Sequence, residues 1–280
     1  MSSQVESLSD ALRQLINSGG IEVPMLPEVA NKALILAQNP DSDASEMASL
    51  IQSDQSLAGH VMRIANSVAY TPMSNLVSLQ QAIARLGMTV ISEIALAAAI
   101  GAKMFNTPGY EDYVSDIWRH ALATSLWSKE IARYCRSNVE VAFLAGLLHS
   151  IGRPAVLQAI LDLAQQQKIT LTKGEVQQLE NAYCQLVSQA VVHSWKMPTL
   201  VINAVSEYTD QNSDLPTGEQ TAQITAGARF ATHMLKPENL DREILLSLPA
   251  LTTLNLYQDE VESLLSQTET VKARLEGLSS

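Results

Sequence analysis

The stretch Phe143-Leu-Ala-Gly-Leu-Leu-His-Ser-Ile-Gly152 decides how this chain is interpreted. Its apolar run predicts a buried helix that leads to one histidine, His149, and stops near Gly152. An imidazole at the end of so apolar a helix is either placed for function or is a buried polar group bonded to the backbone. An aspartate after the histidine would offer two adjacent metal ligands, but here Ser150 follows. The stretch therefore resembles a catalytic site that has lost part of its chemistry.

The composition is that of an ordinary globular protein. The chain has 280 residues, of which 46% are hydrophobic and 17% charged. A net charge of -11 argues against nucleic-acid binding, because phosphate backbones favour clustered Lys and Arg. Two cysteines fit a reducing compartment. The first residues lack a signal-peptide pattern, and the most apolar run, 94–100, is shorter than the roughly 20 residues that cross a bilayer. We expect a soluble cytoplasmic protein that does not contact a membrane.

The spacing of apolar residues predicts helices almost throughout the chain. Apolar positions recur at three- and four-residue steps, as on one face of an amphipathic helix. One such segment predicts a helix over 89–104. Capping-box patterns mark where further helices begin: Asp43 with Glu46, Ser78 with Gln81, and Thr172 with Glu175. No alternating β pattern of useful length occurs, so the sequence predicts an all-α fold.

Pro108 and Gly109 mark the best candidate domain boundary, because together they interrupt any continuing helix. We predict an N-terminal helical subdomain over 1–106 and a second helical domain over 107–280. Near the end of the chain, apolar residues approximate a short heptad seam: Val261, Leu264, Leu265, Val271, Leu275 and Leu278. Fewer than three heptads favour packing on the chain's own core, and a homodimer through this C-terminal helix is the alternative.

Two of the five histidines are expected to be neighbours. His120 lies on a predicted helix over 111–135, and His149 ends the next one, over 139–149. Helices joined by a short turn pack antiparallel, so the two imidazoles could approach each other. A catalytic metal site needs several ligands from different helices and an open position. The alternative is that each histidine is a satisfied polar group in a helical core. No phosphate loop, His-Glu-x-x-His, Gly-x-Ser-x-Gly or Cys-x-x-Cys pattern occurs.

A series of landmarks between residues 26 and 208 resembles the HDOD family, output-domain relatives of the HD metal-dependent phosphohydrolases. Each landmark is short, and their order and spacing carry the resemblance. They are Leu26-Pro27, Pro40-Asp41, Ile51 with Asp54 and Leu57, Asn66 to Tyr70, Gln81 to Gly87, Trp118 with His120, Phe143 to Gly152, and Trp195 with Pro198. The resemblance implies an N-terminal helical subdomain followed by an HD-like helical core.

The resemblance also implies where a site would lie. His120 matches the first metal-binding histidine of the HD hydrolases and His149 the histidine of the His-Asp pair, so these two are candidate ligands of a vestigial metal site. Ser150 takes the place of the aspartate, while Cys184 and Tyr208 fall where relatives carry further histidines. Trp118, Ser150, Cys184 and Tyr208 are candidate pocket-lining residues.

The substituted site favours a protein that is not an enzyme. Serine is a neutral and weak ligand, whereas aspartate helps to neutralise a divalent ion. We therefore expect no catalytic residue and no cofactor. The resemblance implies a bacterial signalling or regulatory module that binds a partner protein or a small ligand. The alternative is a residual metal-dependent phosphohydrolase that acts on nucleotides or phosphate esters, with a base supplied by a residue such as Asp210.

Overall fold

A computed structural model describes residues 3–21, 25–71, 76–101, 104–209 and 218–279. Within these ranges the regular structure is helical and no strand occurs, which confirms the predicted all-α fold. A 3₁₀ turn, Pro237–Asn239, lies between the twelfth and thirteenth of the described helices. The helices are α1 (Ser3–Asn17), α2 (Glu28–Gln38), α3 (Ala44–Gln52), α4 (Gln55–Ala65), α5 (Leu79–Leu86), α6 (Met88–Ala99), α7 (Glu111–Tyr134), α8 (Val139–Leu148), α9 (Gly152–Gln167), α10 (Lys173–Ser194), α11 (Thr199–Glu207), α12 (Glu219–Leu235), α13 (Arg242–Leu246), α14 (Pro249–Thr253), α15 (Gln258–Leu265) and α16 (Thr268–Ser279).

The three predicted capping residues each accept hydrogen bonds at the start of a helix. Asp43 accepts hydrogen bonds from the first turn of α3, and Glu46 accepts one from the Asp43 backbone, which completes the predicted capping box. Ser78 accepts from the Gln81 backbone N–H at 3.2 Å, but the Gln81 side chain accepts from Val77 rather than from Ser78. Only one half of that box therefore forms, whereas Thr172 and Glu175 form both halves of theirs.

The helix predicted over 89–104 is shorter than expected. It begins at Met88 as α6 and ends at Ala99, because Ile100 adopts an extended conformation with φ -94° and ψ 120°. Gly87 joins α5 to α6 with a φ of +85°, a conformation that favours glycine. The predicted C-terminal end of this helix is therefore wrong, and the residues after Ala99 connect α6 to α7.

The long helix α7 is the centre of the fold, and α8 and α12 both pack against it. Two glycines allow this close approach. A methyl group on Gly146 of α8 would lie 2.8 Å from the Cα of Ser125. A methyl group on Gly227 of α12 would lie 2.9 Å from the backbone nitrogen of Ser128. Residues 141–148 of α8 are all buried, so the apolar run that begins at Phe143 lies in the core helix of the fold.

The turn after α8 is pressed against α10. A methyl group on Gly152 would lie 2.3 Å from the carbonyl oxygen of Cys184 and 2.4 Å from the nitrogen of Ser188. The Gly152 N–H donates to the Ser188 hydroxyl oxygen at 2.9 Å. This contact fixes the direction in which the chain leaves His149. The first helix, α1, packs against α9 and α10, with Ser9 and Tyr183 hydrogen-bonded through their hydroxyl groups at 2.9 Å.

The C-terminal seam is divided between two helices instead of forming one. α15 ends at Leu265 and α16 begins at Thr268, so the heptad-like apolar positions do not lie on one continuous helix. Both helices pack against α7, and α16 also contacts α6. The apolar seam residues are buried within the chain, apart from Leu265, which is half-buried. Packing on the chain's own core is thus confirmed, while homodimer formation and the domain boundary after residue 106 stay predictions.

One helical stretch has the length and apolar composition of a membrane span. It covers Val139–Gln167, and 83% of its apolar window is buried within the chain. α8, α9 and the turn between them form this stretch, and both helices pack against neighbouring helices. The apolar composition is thus accounted for by the core position of α8 and α9.

Candidate functional site

The predicted histidine pair forms. His120 lies on α7 and His149 directly follows α8, and the two ring centroids are 6.0 Å apart. The short connection between these helices makes them antiparallel neighbours, as the sequence implies. His149 is 4% exposed, whereas His120 is half-buried. The pair therefore lies at the edge of the core.

Two threonines orient the His120 ring. Its Nε2 is 3.0 Å from the hydroxyl oxygen of Thr232 on α12. That hydroxyl donates its proton to the Ala228 carbonyl at 2.9 Å, so it accepts from His120 and the Nε2 carries hydrogen. The hydroxyl of Thr124, one turn after His120, donates to the His120 carbonyl at 2.8 Å. An Nε2 that donates a hydrogen bond has no lone pair to offer a metal ion.

His149 is held by the backbone and by one aromatic ring. Its Nδ1 is 2.7 Å from the Gly146 carbonyl oxygen, which can only accept, so Nδ1 is a donor. The Tyr208 ring contacts the imidazole edge-to-face at a centroid distance of 4.8 Å. Three rings from three parts of the fold therefore meet here: His120, His149 and Tyr208.

Ser150 occupies different surroundings from His149. Its hydroxyl is buried, in a residue that is 8% exposed, and it has no hydrogen-bond partner among the described residues. It lines an apolar cavity with Trp118 and Ile100, and the described residues around this cavity include neither His120 nor His149. The free space is about 10 Å³, about what one water molecule needs. The position that would hold the aspartate is thus enclosed by apolar side chains.

Cys184 contacts the turn after His149 through its backbone. Its carbonyl oxygen lies against Gly152, and its thiol is 3.8 Å from the Asn181 carbonyl oxygen. Of the four candidate pocket residues, Tyr208 contacts a histidine ring, and Trp118 and Ser150 share the apolar cavity.

The described residues do not fit a metal centre of the HD type. No group of three or more His, Cys, Asp or Glu side chains in ranges 3–21, 25–71, 76–101, 104–209 and 218–279 is arranged to hold an ion. His120 and His149 each donate through one ring nitrogen, so each ring offers at most its other nitrogen to an ion, which makes two imidazole ligands. Asp210, the carboxylate considered as a replacement base, lies outside the described residues.

A second polar cluster was not found from the sequence. Glu180 of α10 is fully buried, and it accepts hydrogen bonds from the Tyr113 hydroxyl at 2.6 Å and from Arg153 at 3.2 Å. Burial, and then the neighbouring Glu180 carboxylate, raise the pKa of the Tyr113 phenol. Tyr113 therefore stays a donor. The cluster joins α7, α9 and α10, and no local sequence pattern indicates that these three residues meet.

Comparison with a family model gives a match to the HDOD domain over residues 23–211. A solved structure from Shewanella amazonensis, described as a candidate metal-dependent phosphohydrolase, has 22% sequence identity and a TM-score of 0.73, and the match covers 98% of this chain and 99% of that one. An HDOD domain protein of unknown function from Geobacter sulfurreducens is 22% identical, with a TM-score of 0.71 and the same coverage. These two likenesses show the fold.

Two further relatives are longer than the matched region. A candidate signal transduction protein from Marinobacter aquaeolei has 19% identity and a TM-score of 0.64, with 99% of this chain and 67% of that chain covered. A protein from Treponema pallidum without an assigned function is 20% identical over 193 residues, which is 66% of this chain and 37% of the relative. The chain thus spans little more than a third of that relative's length.

Proposed function

Because this chain belongs to the HDOD domain family, we propose that it is a signalling or regulatory module without hydrolytic activity. In this proposal it acts in the bacterial cytoplasm by binding a partner protein or a small ligand. No catalytic residue and no resident cofactor is assigned to it.

The observation that carries the proposal is the enclosed position of Ser150. In an HD hydrolase the residue after the second histidine would supply a carboxylate, which lowers the charge of a bound ion and orients it. Here that residue is neutral, and it lines an apolar cavity whose described lining includes neither histidine. An ion beside His120 and His149 would therefore have no carboxylate from this position.

The hydrogen bonds of the histidines support the same proposal. The donor His120 Nε2 would have to lose its bond to Thr232 before it could ligate a metal, so only Nδ1 of this ring has a lone pair to offer. The His149 Nδ1 bond to a backbone carbonyl orients the ring in the manner of a metal ligand, but it also satisfies a buried histidine in a core without metal.

A residual phosphohydrolase is the second candidate, and the 6.0 Å approach of His120 and His149 favours it. Two assays separate the candidates: metal analysis of the purified chain, and hydrolysis of bis(p-nitrophenyl) phosphate and p-nitrophenyl phosphate with added Mn²⁺, Mg²⁺ or Zn²⁺. We expect no stoichiometric metal and no turnover above that of the His149→Ala variant.

His193→Ala is the matched control, because His193 is an exposed histidine at the end of α10. Metal-dependent turnover that is lost in His149→Ala and kept in His193→Ala would overturn the proposal in favour of the hydrolase. A melting curve of each variant establishes that the substitution leaves the chain folded.

A further inference from the structure

A large cleft, whose described lining contains neither His120 nor His149, lies between α4, α6, α7 and the end of α16. Its volume is about 570 Å³, within the range of roughly 300–1,000 Å³ that small-molecule sites occupy. The wall from α6 consists of Ala97, Ala98 and Ala99, and these small side chains leave the space open. The cleft joins elements from the N-terminal helices to the central helix of the fold.

The charge of the cleft is opposite to that of the whole chain. The net charge is -11, yet the described lining contains His60, Arg63 and Arg119 and no Asp or Glu. His60 and Arg63 are three residues apart on α4, so they share one face of that helix. Neither arginine forms an ion pair with a described carboxylate. Two guanidinium groups are thus available to an anion in the cleft.

Helix ends reduce this positive charge without cancelling it. The C-terminal ends of α6 and α16 border the cleft, and each contributes a partial negative charge of about half an elementary charge. Arg63 lies in the last turn of α4, where it also complements that helix end. Arg119 lies on α7 away from both helix ends, so its positive charge does not serve to balance the partial charge of a helix end.

The cleft adjoins the apolar cavity that Ser150 lines, because the two spaces share part of their walls. Ile100, Gly101 and Trp118 line both spaces. The unpartnered Ser150 hydroxyl, in a residue that is 8% exposed, lies in the wall of the apolar cavity. A ligand in the cleft therefore meets the cationic side chains and the Trp118 indole of its lining, while the Ser150 hydroxyl belongs to the adjoining cavity.

We propose that this cleft binds a small organic phosphate that carries a flat ring, with a nucleotide as the representative class. Arginine guanidinium groups match phosphate oxygens in pairs, and tryptophan offers an aromatic surface on which a planar ring packs. This inference rests on the proposed regulatory role, because it names the chemistry of the ligand that the module would sense.

Calorimetric titration of the full chain with AMP tests the proposal, with adenosine and inorganic phosphate as probes that lack one half of the ligand. We expect AMP to bind at least 10-fold more tightly than either fragment. The double variant Arg63→Gln/Arg119→Gln removes two charge-assisted contacts and should weaken AMP binding by about 100-fold. Arg85→Gln, an exposed arginine on α5 outside the cleft, is the control and should leave the affinity within twofold.

A second variant guards against indirect effects. Trp118→Ala should weaken AMP while leaving the weak binding of inorganic phosphate unchanged. The proposal is overturned if AMP does not bind at millimolar concentration, if the double variant binds as well as the Arg85 control, or if the cleft arginines are needed only for an acidic protein partner. Failure of AMP binding would leave the metal and turnover assays unaffected, so the two proposals fail separately. Recovery of intact AMP after titration shows that binding is not turnover.

Discussion

The ammonium group of Lys129 lies 2.5 Å and 2.7 Å from the two carboxylate oxygens of Glu93, and both side chains are about nine-tenths buried. This ion pair joins α6 to α7, and so connects the N-terminal helices to the centre of the fold. The Lys129 ammonium also lies 5.5 Å from the Phe143 ring centroid, in the middle of the core helix α8.

Removing one member of this pair should destabilise the chain strongly. Glu93→Gln leaves the Lys129 charge buried without a counter-charge, which costs about 3–5 kcal/mol. The double variant Glu93→Leu/Lys129→Met removes both charges and should recover most of that loss. Denaturant unfolding measures both. A single variant within about 1 kcal/mol of the native chain would contradict a dry, paired site.

Loss of the hydroxyl group should lower the stability of the chain at one buried serine, Ser188, and have little effect at another, Ser150. Ser188→Ala leaves the buried Gly152 N–H without an acceptor, which costs about 1–3 kcal/mol. Ser150→Ala removes a hydroxyl that has no partner, so it should change stability by less than about 1 kcal/mol or raise it. Thermal unfolding of the two variants side by side is the measurement. Equal destabilisation would mean that Ser150 has a partner of its own.

Gly152 should not tolerate a side chain. The atoms that a methyl group would meet belong to the α10 backbone and to Ser188, and backbone cannot swing away. Gly152→Ala should therefore cost at least about 1–3 kcal/mol by overpacking. Gly174→Ala is the matched control, because a methyl group there meets nothing within 4 Å. It should be neutral or gain up to about 1 kcal/mol, since alanine favours helix. Similar melting temperatures for both variants would refute the close packing of α10.

Cys135 should alkylate slowly at neutral pH. Burial, and then the nearby Glu219 and Glu260 carboxylates, raise the pKa of its thiol to about 11. At pH 8 only roughly 0.1% of such a thiol is the reactive thiolate. In a Cys184→Ser background, the iodoacetamide rate should rise about tenfold per pH unit and level off only near the raised pKa. A plateau near pH 8.5 would show an unperturbed thiol.

Much of the fold follows from local patterns in the sequence. Asp43 and Thr172 begin their helices as predicted because a cap and its N3 partner lie within one turn. The approach of His120 and His149 follows from the short connection between α7 and α8, which makes these helices antiparallel neighbours. Such features depend on residues close together in the chain.

The contacts inside the candidate site join residues that are far apart in the chain, so local sequence patterns could not predict them. Thr232, which orients His120, lies on α12, and no spacing rule connects the two. The different surroundings of His149 and Ser150 result from the contact of Gly152 with α10, which sets the turn after α8. By the family resemblance a serine stands in place of aspartate, but the sequence does not show that this serine lines an apolar cavity.

The burial of α8 also bears on how the chain is made. Its apolar side chains are covered partly by α7, which precedes it, and partly by α12, which begins only at Glu219. During synthesis from the N-terminus, α8 is therefore complete long before the helix that closes one of its flanks. Until α12 has been synthesised, the α12-facing apolar surface of α8 stays exposed. During that interval this surface is available for a chaperone to bind.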